Sequence, residues 1–366
     1  MKVLIAAGGS GGHIFPAIAV AKTLLAKERG IDILFVGSDK ALDRRIFEKG
    51  GFRFALLSAN KLPYRPGFGY VAFLFRLLSD IVRSFFIISE YKPAAVIGFG
   101  GYICGPVILI SRILKIPRIV HEQNVVPGRA NNMLFGLSDT IAISFEETKH
   151  FLLPRKKRVI VTGNPIRASV VTVGREEGAR RMGLSQGKFS ILVIGGSQGA
   201  HFLNEVFVRA VALLDDNVKA SLQVVHICGI KDYDRLTEEY KSLAVESRVY
   251  SFVDSIEEAY SAADLVVTRS GSSALFELAF FGKPMILVPY PFARAHQAEN
   301  GRVFEKKGAA VVMEEGSLTP AVFRDAVVSL MNDRARLKDM GDKAKRLATS
   351  QSADILAQEV LKMARR

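Results

Sequence analysis

Two glycine-rich turns of nearly the same sequence lie about half a chain apart and could bind phosphate. The first, Gly8–His13, follows the aliphatic run Val3–Ile5, and the second, Gly195–Ala200, follows Ile191–Ile194. A glycine-rich turn between a strand and a helix presents backbone N–H groups and a helix N-terminus, which together attract an anion. The repetition predicts two similar domains that face one cleft.

Several other chemistries are disfavoured by the same stretches. Ile14 stands where a dinucleotide-binding G-x-G-x-x-G loop needs its third glycine, and neither turn carries the Lys-Ser/Thr of a P-loop. Asp232-Tyr233-Asp234 has the form of a metal-binding acid pair, but acids at the start of a helix are ordinary caps. The two cysteines, Cys104 and Cys228, lack metal-ligand spacing and suggest a reducing compartment. The sequence therefore predicts no dehydrogenase, no NTPase and no protein-bound metal.

Short β-branched runs alternate with longer helical patterns throughout the chain. Strands spaced by helices predict parallel sheets covered on both faces, with ligands at the carboxyl ends of the strands. A domain boundary is expected near Gly163-Asn164-Pro165. The predicted strands are Asp32–Val36, Ala94–Ile97, Arg118–Val120, Thr140–Ile143, Ile191–Ile194, Leu222–Ile227, Arg248–Phe252, Leu265–Thr268, Met285–Val288 and Ala309–Val312.

Composition and charge agree with two domains and point to an anionic partner. The chain has 366 residues, 49% of them hydrophobic, which suffices for two cores. A net charge of +14 implies attraction to nucleic acid, anionic lipid or phosphorylated substrates. No nucleic-acid-binding motif is present, and no signal peptide precedes the first strand, so we expect a cytoplasmic protein that meets a membrane surface.

One stretch, Phe68–Ile88, has the pattern of an amphipathic helix. Arg76, Asp80 and Arg83 would lie in its middle, which argues against a membrane span. Two interpretations stay open: a helix lying on a bilayer, favoured by the flanking basic residues Lys61, Arg65, Arg76 and Arg83, or a helix facing the core. Its predicted apolar face comprises Tyr70, Val71, Leu74, Leu77, Leu78, Ile81, Val82, Phe85 and Phe86, and its polar face Arg76, Ser79, Asp80, Arg83 and Ser84. The predicted membrane patch is Leu74, Phe75, Leu78 and Phe85.

An ordered set of motifs spans essentially the whole chain and resembles one family. The motifs are Gly8-Gly9-Ser10-Gly11-Gly12-His13-Ile14-Phe15-Pro16, Gly100-Gly101-Tyr102 with Gly105-Pro106, His121-Glu122-Gln123-Asn124, Gly163-Asn164-Pro165-Ile166-Arg167, Gly195-Gly196-Ser197-Gln198-Gly199-Ala200 and Thr268-Arg269-Ser270-Gly271. This set resembles the MurG family of peptidoglycan N-acetylglucosaminyltransferases. The resemblance implies the glycosyltransferase B fold: an acceptor- and membrane-facing domain at 1–163, a UDP-sugar domain at 164–345, and a last helix, about 346–366, that returns to the first domain.

The resemblance also implies a reaction and its partners. UDP-N-acetylglucosamine would donate its sugar, with inversion, to the 4-hydroxyl of the muramoyl group of lipid I, the undecaprenyl-linked acceptor, and lipid II would form. We expect peripheral association with the anionic cytoplasmic face of the bacterial membrane, no nucleic acid, and contact with other cell-wall enzymes. No cofactor is expected beyond stimulation by a divalent cation that no protein ligand holds.

Site residues are carried over from the matching motif positions. The acceptor hydroxyl must lose a proton, and a histidine with a pKa near its reference value of about 6.5 suits that role. His13 is the first candidate for the base and His121, beside Glu122, is the second. The acceptor pyrophosphate is assigned to Gly9, Ser10, Gly11, Gly12, Gly101 and Tyr102. The donor is assigned to Ser10, Gly11, Gly12, Asn124, Arg167, Ser197, Val253, Ser272, Ser273, Ala274, Leu275, Phe276, Glu277 and Gln297.

Two alternative functions remain. A transferase of the same fold could glycosylate another lipid, such as diacylglycerol. A nucleotide-sugar-binding protein without enzymatic activity could use its basic surface to recruit nucleic acid, and a steep salt dependence of DNA binding would support it.

Overall fold

The chain forms two compact units with separate cores. The computed structural model describes residues 1–58, 68–152, 157–167, 173–196, 199–293 and 295–365. The first unit comprises Met1–Ala168 together with Thr349–Arg366, and the second comprises Ser169–Ala348. The first boundary thus falls a few residues after the Gly163-Asn164-Pro165 motif that marked it in the sequence.

The first unit contains a seven-stranded, wholly parallel sheet with the order β3-β2-β1-β4-β5-β6-β7. Its strands are β1 (Lys2–Ala6), β2 (Asp32–Ser38), β3 (Arg53–Leu57), β4 (Ala95–Gly98), β5 (Arg118–Glu122), β6 (Thr140–Ile143) and β7 (Arg158–Val161). Its helices are α1 (Gly11–Lys27), α2 (Ala41–Lys49), α3 (Phe68–Tyr91), α4 (Cys104–Ile113), α5 (Arg129–Leu134) and the last helix of the chain, α15 (Ser352–Ala364), with a 3-10 helix at Glu146–Phe151.

The second unit contains a six-stranded parallel sheet with the order β10-β9-β8-β11-β12-β13. Its strands are β8 (Phe189–Ile194), β9 (Leu222–Ile227), β10 (Glu246–Tyr250), β11 (Leu265–Thr268), β12 (Met285–Leu287) and β13 (Ala310–Val312). Its helices are α6 (Arg175–Arg181), α7 (His201–Ala212), α8 (Asp216–Ser221), α9 (Tyr233–Lys241), α10 (Ile256–Ala262), α11 (Ser272–Phe280), α12 (His296–Lys306), α13 (Pro320–Met331) and α14 (Arg334–Leu347), with a 3-10 helix at Glu315–Ser317.

Hydrophobic burial on both faces explains why the strands read as continuous aliphatic runs. In β1, the successive side chains Val3, Leu4 and Ile5 are all fully buried. Val3 and Ile5 pack into one core with α1 and α15, whereas Leu4 packs into the opposite core with α3 and α4. A parallel sheet covered by helices on both faces requires this pattern. The predicted α/β class is confirmed.

The last helix completes the core of the first unit. Leu356, Ala357 and Val360 of α15 are fully buried in the cluster that also contains α1 side chains. Charged contacts at its rim include Arg158 with Glu359, and Lys27 Nζ with Asp354 Oδ1 at 2.8 Å.

Helix α3 turns most of its predicted apolar face outward, as expected of the first of the two interpretations that the sequence left open. Leu74, Phe75, Leu78 and Phe85 are exposed, and Phe75 retains 76% of its accessible surface. Of the predicted polar face, Asp80 and Ser84 are buried, whereas Arg76, Ser79 and Arg83 are exposed. The reason for Asp80 is local, because its carboxylate accepts hydrogen bonds from the backbone N–H and the hydroxyl of Ser58, both at 2.9 Å. Within the described residues, no helix has the length and low charge needed to cross a membrane.

Candidate active site

The first glycine turn joins the end of β1 to the start of α1. Gly9 has φ of +83°, a conformation that favours glycine, and its N–H donates to Asp43 Oδ2 at 2.8 Å. A Cβ on Gly8 would lie 2.6 Å from the same carboxylate oxygen. The turn is therefore held tightly against Asp43 on its inner side, while Ser10 and Gly12 are exposed.

His13 lies in the first turn of α1 with one ring nitrogen committed. Its Nδ1 is 3.3 Å from the carbonyl oxygen of Gly8 and 3.2 Å from the hydroxyl of Ser10. Because a carbonyl oxygen only accepts, Nδ1 carries the proton and Nε2 holds a lone pair. Burial lowers the pKa of His13 below its usual value, and the charge of Glu122 opposes part of that shift. The ring is therefore neutral at neutral pH, as a general base requires.

The Gly100-Gly101-Tyr102 turn lies against His13. A Cβ on Gly101 would be 3.4 Å from both His13 Nδ1 and the Gly8 carbonyl oxygen. Tyr102 keeps 41% of its surface exposed. The structure thus brings together the two turns that were assigned to the acceptor pyrophosphate. One turn follows β1 and the other follows β4, which are distant in the sequence but adjacent in the sheet.

Glu122 is a buried carboxylate that organises the segment after β5. Its Oε1 accepts from the backbone and side-chain amides of Asn124, at 2.9 and 3.1 Å. Its Oε2 accepts from the Gly128 N–H at 3.1 Å and from Asn131 Nδ2 at 2.8 Å. Asn131 also lies close to Gly100, where an added Cβ would approach its amide within 3.0 Å. Glu122 therefore positions Asn124 and supports the turn beside His13.

His121 is fully buried, and both of its ring nitrogens are engaged. The Gln123 amide donates to Nδ1 at 3.1 Å, so Nε2 carries the proton and donates to the Gly163 carbonyl at 3.2 Å. Burial lowers the pKa of His121 to about 4. This geometry leaves no ring nitrogen of His121 for a substrate, which favours His13 as the base.

Arg167 lies near the first glycine turn. Its guanidinium carbon is 4.8 Å from the centre of the Phe15 ring, and Phe15 in turn contacts Gly11, where a Cβ would be 2.9 Å from the ring. This position in the first unit was not evident from the sequence, where Arg167 was assigned to the donor.

The second glycine turn joins β8 to α7 and repeats the strand–turn–helix design. Gly196 has φ of +90°, and a Cβ on Gly199 would lie 2.4 Å from the Cys228 carbonyl oxygen. Glycine is thus required for the close approach to the segment after β9. Ser197, the predicted phosphate contact, lies outside the described residues.

A polar cluster supports this second turn from behind. Asp232 accepts hydrogen bonds from His201 Nδ1 and from Asn204 Nδ2, both at 2.8 Å, and Asn204 Nδ2 also donates to the Cys228 carbonyl at 2.9 Å. Burial raises the pKa of the Asp232 carboxyl, but the hydrogen bonds from His201, Asn204 and Arg235 outweigh it and hold the pKa below its usual range. Asp232 precedes α9 yet makes no capping hydrogen bond, so the predicted capping role is wrong.

The first turns of α11 contain the predicted ribose contact. Glu277 is largely buried, and its Oε2 accepts from the Tyr260 hydroxyl at 3.1 Å. Ser273 and Ala274 are half-buried, whereas Ser272 is buried. Leu275 and Phe276 face the core, where Phe276 packs edge-on against Phe304. The assignment of this stretch to the donor stays a prediction, and the side chains of Leu275 and Phe276 are buried in the core.

The remaining donor candidates follow other strands of the same sheet. Val253 is half-buried in the segment after β10. Gln297 is in the first turn of α12, after β12, and its Oε1 accepts from the Tyr290 N–H at 2.9 Å. Together with the turn after β8 and the start of α11 after β11, these residues all follow carboxyl ends of parallel strands, where α/β sheets bind ligands.

Asp43, Asn131 and Tyr260 are among the residues of these clusters that were missed in the sequence. Each lies in a helix that follows a sheet strand, but none belongs to a glycine motif. For Asp43, the available signal was an acid shortly after the predicted strand Asp32–Val36, which is the neighbour of β1. Within the described residues, no three His, Cys, Asp or Glu side chains are grouped so that they could hold a metal ion.

Comparisons with known proteins agree with the two-unit architecture. Residues 3–143 match the glycosyltransferase family 28 N-terminal domain, and residues 190–359 match the glycosyltransferase family 28 C-terminal domain. A protein of Halothermothrix orenii is 37% identical over 355 residues, with 95% of each chain covered. One from Geobacter sulfurreducens is 36% identical over 367 residues, with 100% of each chain covered. Both are named UDP-N-acetylglucosamine–N-acetylmuramyl-(pentapeptide) pyrophosphoryl-undecaprenol N-acetylglucosamine transferase.

The chain belongs to the MurG family. Among solved structures, MurG of Acinetobacter baumannii is 28% identical, with a TM-score of 0.79 and 99% of each chain covered. A UDP-GlcNAc 2-epimerase from Neisseria meningitidis, 15% identical with a TM-score of 0.69 and with 99% of this chain and 100% of the epimerase covered, shares the fold alone.

Proposed function

We propose that this protein transfers N-acetylglucosamine from UDP-N-acetylglucosamine to the 4-hydroxyl of the muramoyl group of lipid I, forming lipid II. The observation that carries the proposal is the full-length similarity to transferases of that name, joined to a neutral histidine at the first glycine turn. The activity is that of a UDP-N-acetylglucosamine-dependent glycosyltransferase.

His13 supplies the base in the proposed step. Its Nε2 takes the proton of the acceptor hydroxyl while the oxygen attacks the anomeric carbon of the donor sugar. The bond between that carbon and the UDP oxygen breaks, UDP leaves, and the configuration inverts in a single displacement. Nδ1 stays bonded to the Gly8 carbonyl oxygen, which keeps the ring oriented throughout.

The residues proposed to bind the acceptor and the donor differ, except for Ser10, Gly11 and Gly12, which are assigned to both. The backbone N–H groups of Ser10–Gly12, where Ser10 and Gly12 are exposed, suit the acceptor pyrophosphate together with Gly101 and Tyr102. For the donor, Glu277 binds the ribose hydroxyls, the backbone of Val253 reads the uracil, and Gln297 and Asn124 bind the sugar. The second glycine turn and an arginine stabilise the charge of the departing diphosphate. These contacts need no resident metal, and we infer that any stimulating divalent cation is held without protein ligands.

Peripheral binding to the anionic cytoplasmic face of the membrane would bring the enzyme to its lipid acceptor. The exposed apolar side chains of α3 support this proposal, because such a patch on a soluble surface marks an interaction site. Arg76 and Arg83 are exposed on the same helix, and the net charge is +14. Lys61 and Arg65 lie outside the described residues.

The test is release of UDP from UDP-N-acetylglucosamine in the presence of a soluble lipid I analogue. We expect acceptor-dependent release, a kcat lowered about 100-fold or more in His13→Ala, and mainly a raised donor KM in Glu277→Ala. His150→Ala, which changes an exposed histidine, is the matched control and should behave as the wild type.

Each other result has a defined meaning. Release with diacylglycerol but not with the lipid I analogue would replace the acceptor. Donor binding without release with either lipid, together with salt-sensitive DNA binding, would replace the enzymatic function with the binding one.

A further inference from the structure

A buried carboxylate that the proposed mechanism does not use lies behind the first glycine turn. Asp43, in the first turn of α2, is fully buried. Its Oδ2 accepts three hydrogen bonds: from the Gly9 N–H at 2.8 Å, the Ser38 N–H at 2.9 Å and the Ser38 hydroxyl at 2.6 Å. Its Oδ1 has no hydrogen-bond partner in the described part of the chain.

These hydrogen bonds alone do not explain a charged group at this position. Burying a carboxylate is costly when part of its acceptor capacity is unused. A neutral amide oxygen could accept the same N–H and O–H groups without that cost. The negative charge should therefore have a consequence of its own.

Asp43 and His13 are held to the same turn, because Asp43 Oδ2 accepts from the Gly9 N–H and His13 Nδ1 donates to the neighbouring Gly8 carbonyl oxygen. Titratable or charged groups on the elements around the imidazole are Lys40, Asp43, Tyr102, His121, Glu122 and Arg167. Of these, Asp43 and Glu122 are negative, and both favour the protonated ring, whereas burial disfavours it. A base that becomes a cation in a partly buried site benefits from carboxylates around it.

We propose that Asp43 is a positioning residue for the transfer reaction, which fixes the first glycine turn through Gly9 and stabilises the imidazolium that His13 becomes when it takes the acceptor proton. The inference rests on the proposed function. The proton moves from the acceptor oxygen to Nε2, the electron pair left on oxygen forms the new glycosidic bond, and UDP leaves, so the positive charge arises on the ring.

The experiment compares four variants of the full-length protein. Asp43→Asn removes the charge, Asp43→Glu keeps it, and Ser38→Ala removes one hydrogen bond to Asp43 while the charge stays. Asp80→Asn is the matched control, because Asp80 is also buried and also binds the N–H and hydroxyl of a serine, Ser58, in the same unit. Circular dichroism and thermal unfolding establish that each variant is folded, and Asp43→Ser is the neutral substitute should Asp43→Asn not fold.

Two measurements are made on each variant. The first is kcat and the acceptor KM as a function of pH, with the soluble acceptor. The second is an NMR titration of the histidine imidazoles, in which the His13 signal is assigned by its loss in His13→Gln. This titration reports on His13 without requiring turnover.

Loss of the charge should weaken the base. We expect Asp43→Asn to lower kcat about tenfold with the donor KM unchanged, and to move both the acidic limb of the kcat profile and the His13 titration to lower pH. The kcat of Asp43→Glu and of Ser38→Ala should stay within about threefold of the wild type. None of the three variants Asp43→Glu, Ser38→Ala and Asp80→Asn should shift the pH of the His13 titration.

A folded Asp43→Asn variant with an unchanged His13 titration would overturn the inference, as would an equal shift in Asp80→Asn. If the wild type transfers no sugar, the proposed function fails, but the NMR comparison still decides whether Asp43 acts on His13. The two failures are therefore distinguishable.

Discussion

At the scale of single residues, the histidines of this protein differ in what their ring nitrogens contact. His13 has one nitrogen committed to a carbonyl oxygen, whereas His121 has both committed within the core. In the second unit, His226 is also fully buried, between the Tyr240 hydroxyl at 2.9 Å and the Asn204 amide oxygen at 3.1 Å. Residue type alone cannot separate a base from a structural histidine, but these partners do.

The buried histidines predict an acid-sensitive stability. Burial lowers the pKa of His121 to about 4 and that of His226 to about 3. Both pKa values lie below the value of about 6.5 that a histidine has in the unfolded chain. At a pH between the folded and the unfolded pKa, the unfolded chain therefore binds more protons than the folded protein. Stability is lost as the pH falls through that window. Between pH 7 and pH 5, where most carboxylates remain ionised, each histidine should remove about 2 kcal/mol of unfolding free energy.

Urea unfolding at pH 7 and pH 5 measures this loss. A variant that replaces His121 with glutamine should show a smaller difference between the two pH values, whereas His150→Gln, at an exposed position, should not. Equal stability of the wild type at both pH values would contradict the prediction.

The sequence predicted the motif residues of the site better than the residues that hold them. The two glycine turns, His13 and Glu277 have recognisable spellings or motif positions. Asp43 and Tyr260 do not, because their role depends on which strands become neighbours in the sheet and on side-chain direction. Leu275 and Phe276 show the same limit, because a motif position does not reveal which side chains of α11 face the core.

At the scale of elements, an acid after the neighbouring strand supports each glycine turn. Asp43 follows β2 and bonds directly to Gly9 of the turn after β1. Asp232 follows β9 and acts on the turn after β8 indirectly, through His201 and Asn204 of α7. The shape of both turns is thus fixed by side chains from the adjacent strand connection as well as by glycine.

Helix α3 provides a prediction about the membrane. Leu74→Glu with Phe75→Glu should weaken sedimentation with vesicles that contain anionic lipid, because two exposed apolar side chains become charged. Ser79→Glu adds a charge at an exposed polar position of the same helix and is the control. Unchanged sedimentation of the double variant would assign this face to another partner.

Helix α15 provides a prediction about stability. Leu356→Ala should destabilise the first unit by about 2–5 kcal/mol, because it opens a cavity in a fully buried core. Lys362→Ala, at an exposed position of the same helix, should have little effect. Calorimetry of both variants measures the change, and a destabilisation confined to the second unit would contradict the assignment of α15 to the first core.

The orientation of α3 shows what periodicity cannot decide. The apolar pattern predicted the helix, but a helix with two mixed faces can be packed on either of them. The hydrogen bonds between Asp80 and Ser58 fix the choice, and they join residues far apart in the sequence. The edge strands β3 and β7 were also missed, although Phe54–Leu57 and Val159–Val161 are continuous apolar runs, and most of their side chains are only half-buried.

At the scale of the whole molecule, the net charge of +14 should make membrane binding depend on salt. Raising NaCl from about 0.05 to 0.5 M shortens the screening length several-fold and should weaken binding to anionic vesicles. Binding to neutral vesicles, which depends on the apolar side chains of α3, should change much less. Equal salt dependence with both lipids would show that the positive charge does not contribute.

The position of α15 also has a consequence for the order of events during synthesis. The second unit, Ser169–Ala348, is complete once its last residue has been made, whereas the first unit lacks Leu356, Ala357 and Val360 until α15 has been made. At about 5–20 residues per second, the ribosome spends several seconds or more on the second unit while the earlier core remains open. The unit that is translated first is therefore the last one able to complete its core. Until α15 has been made, the apolar side chains of α1 that pack against it remain uncovered.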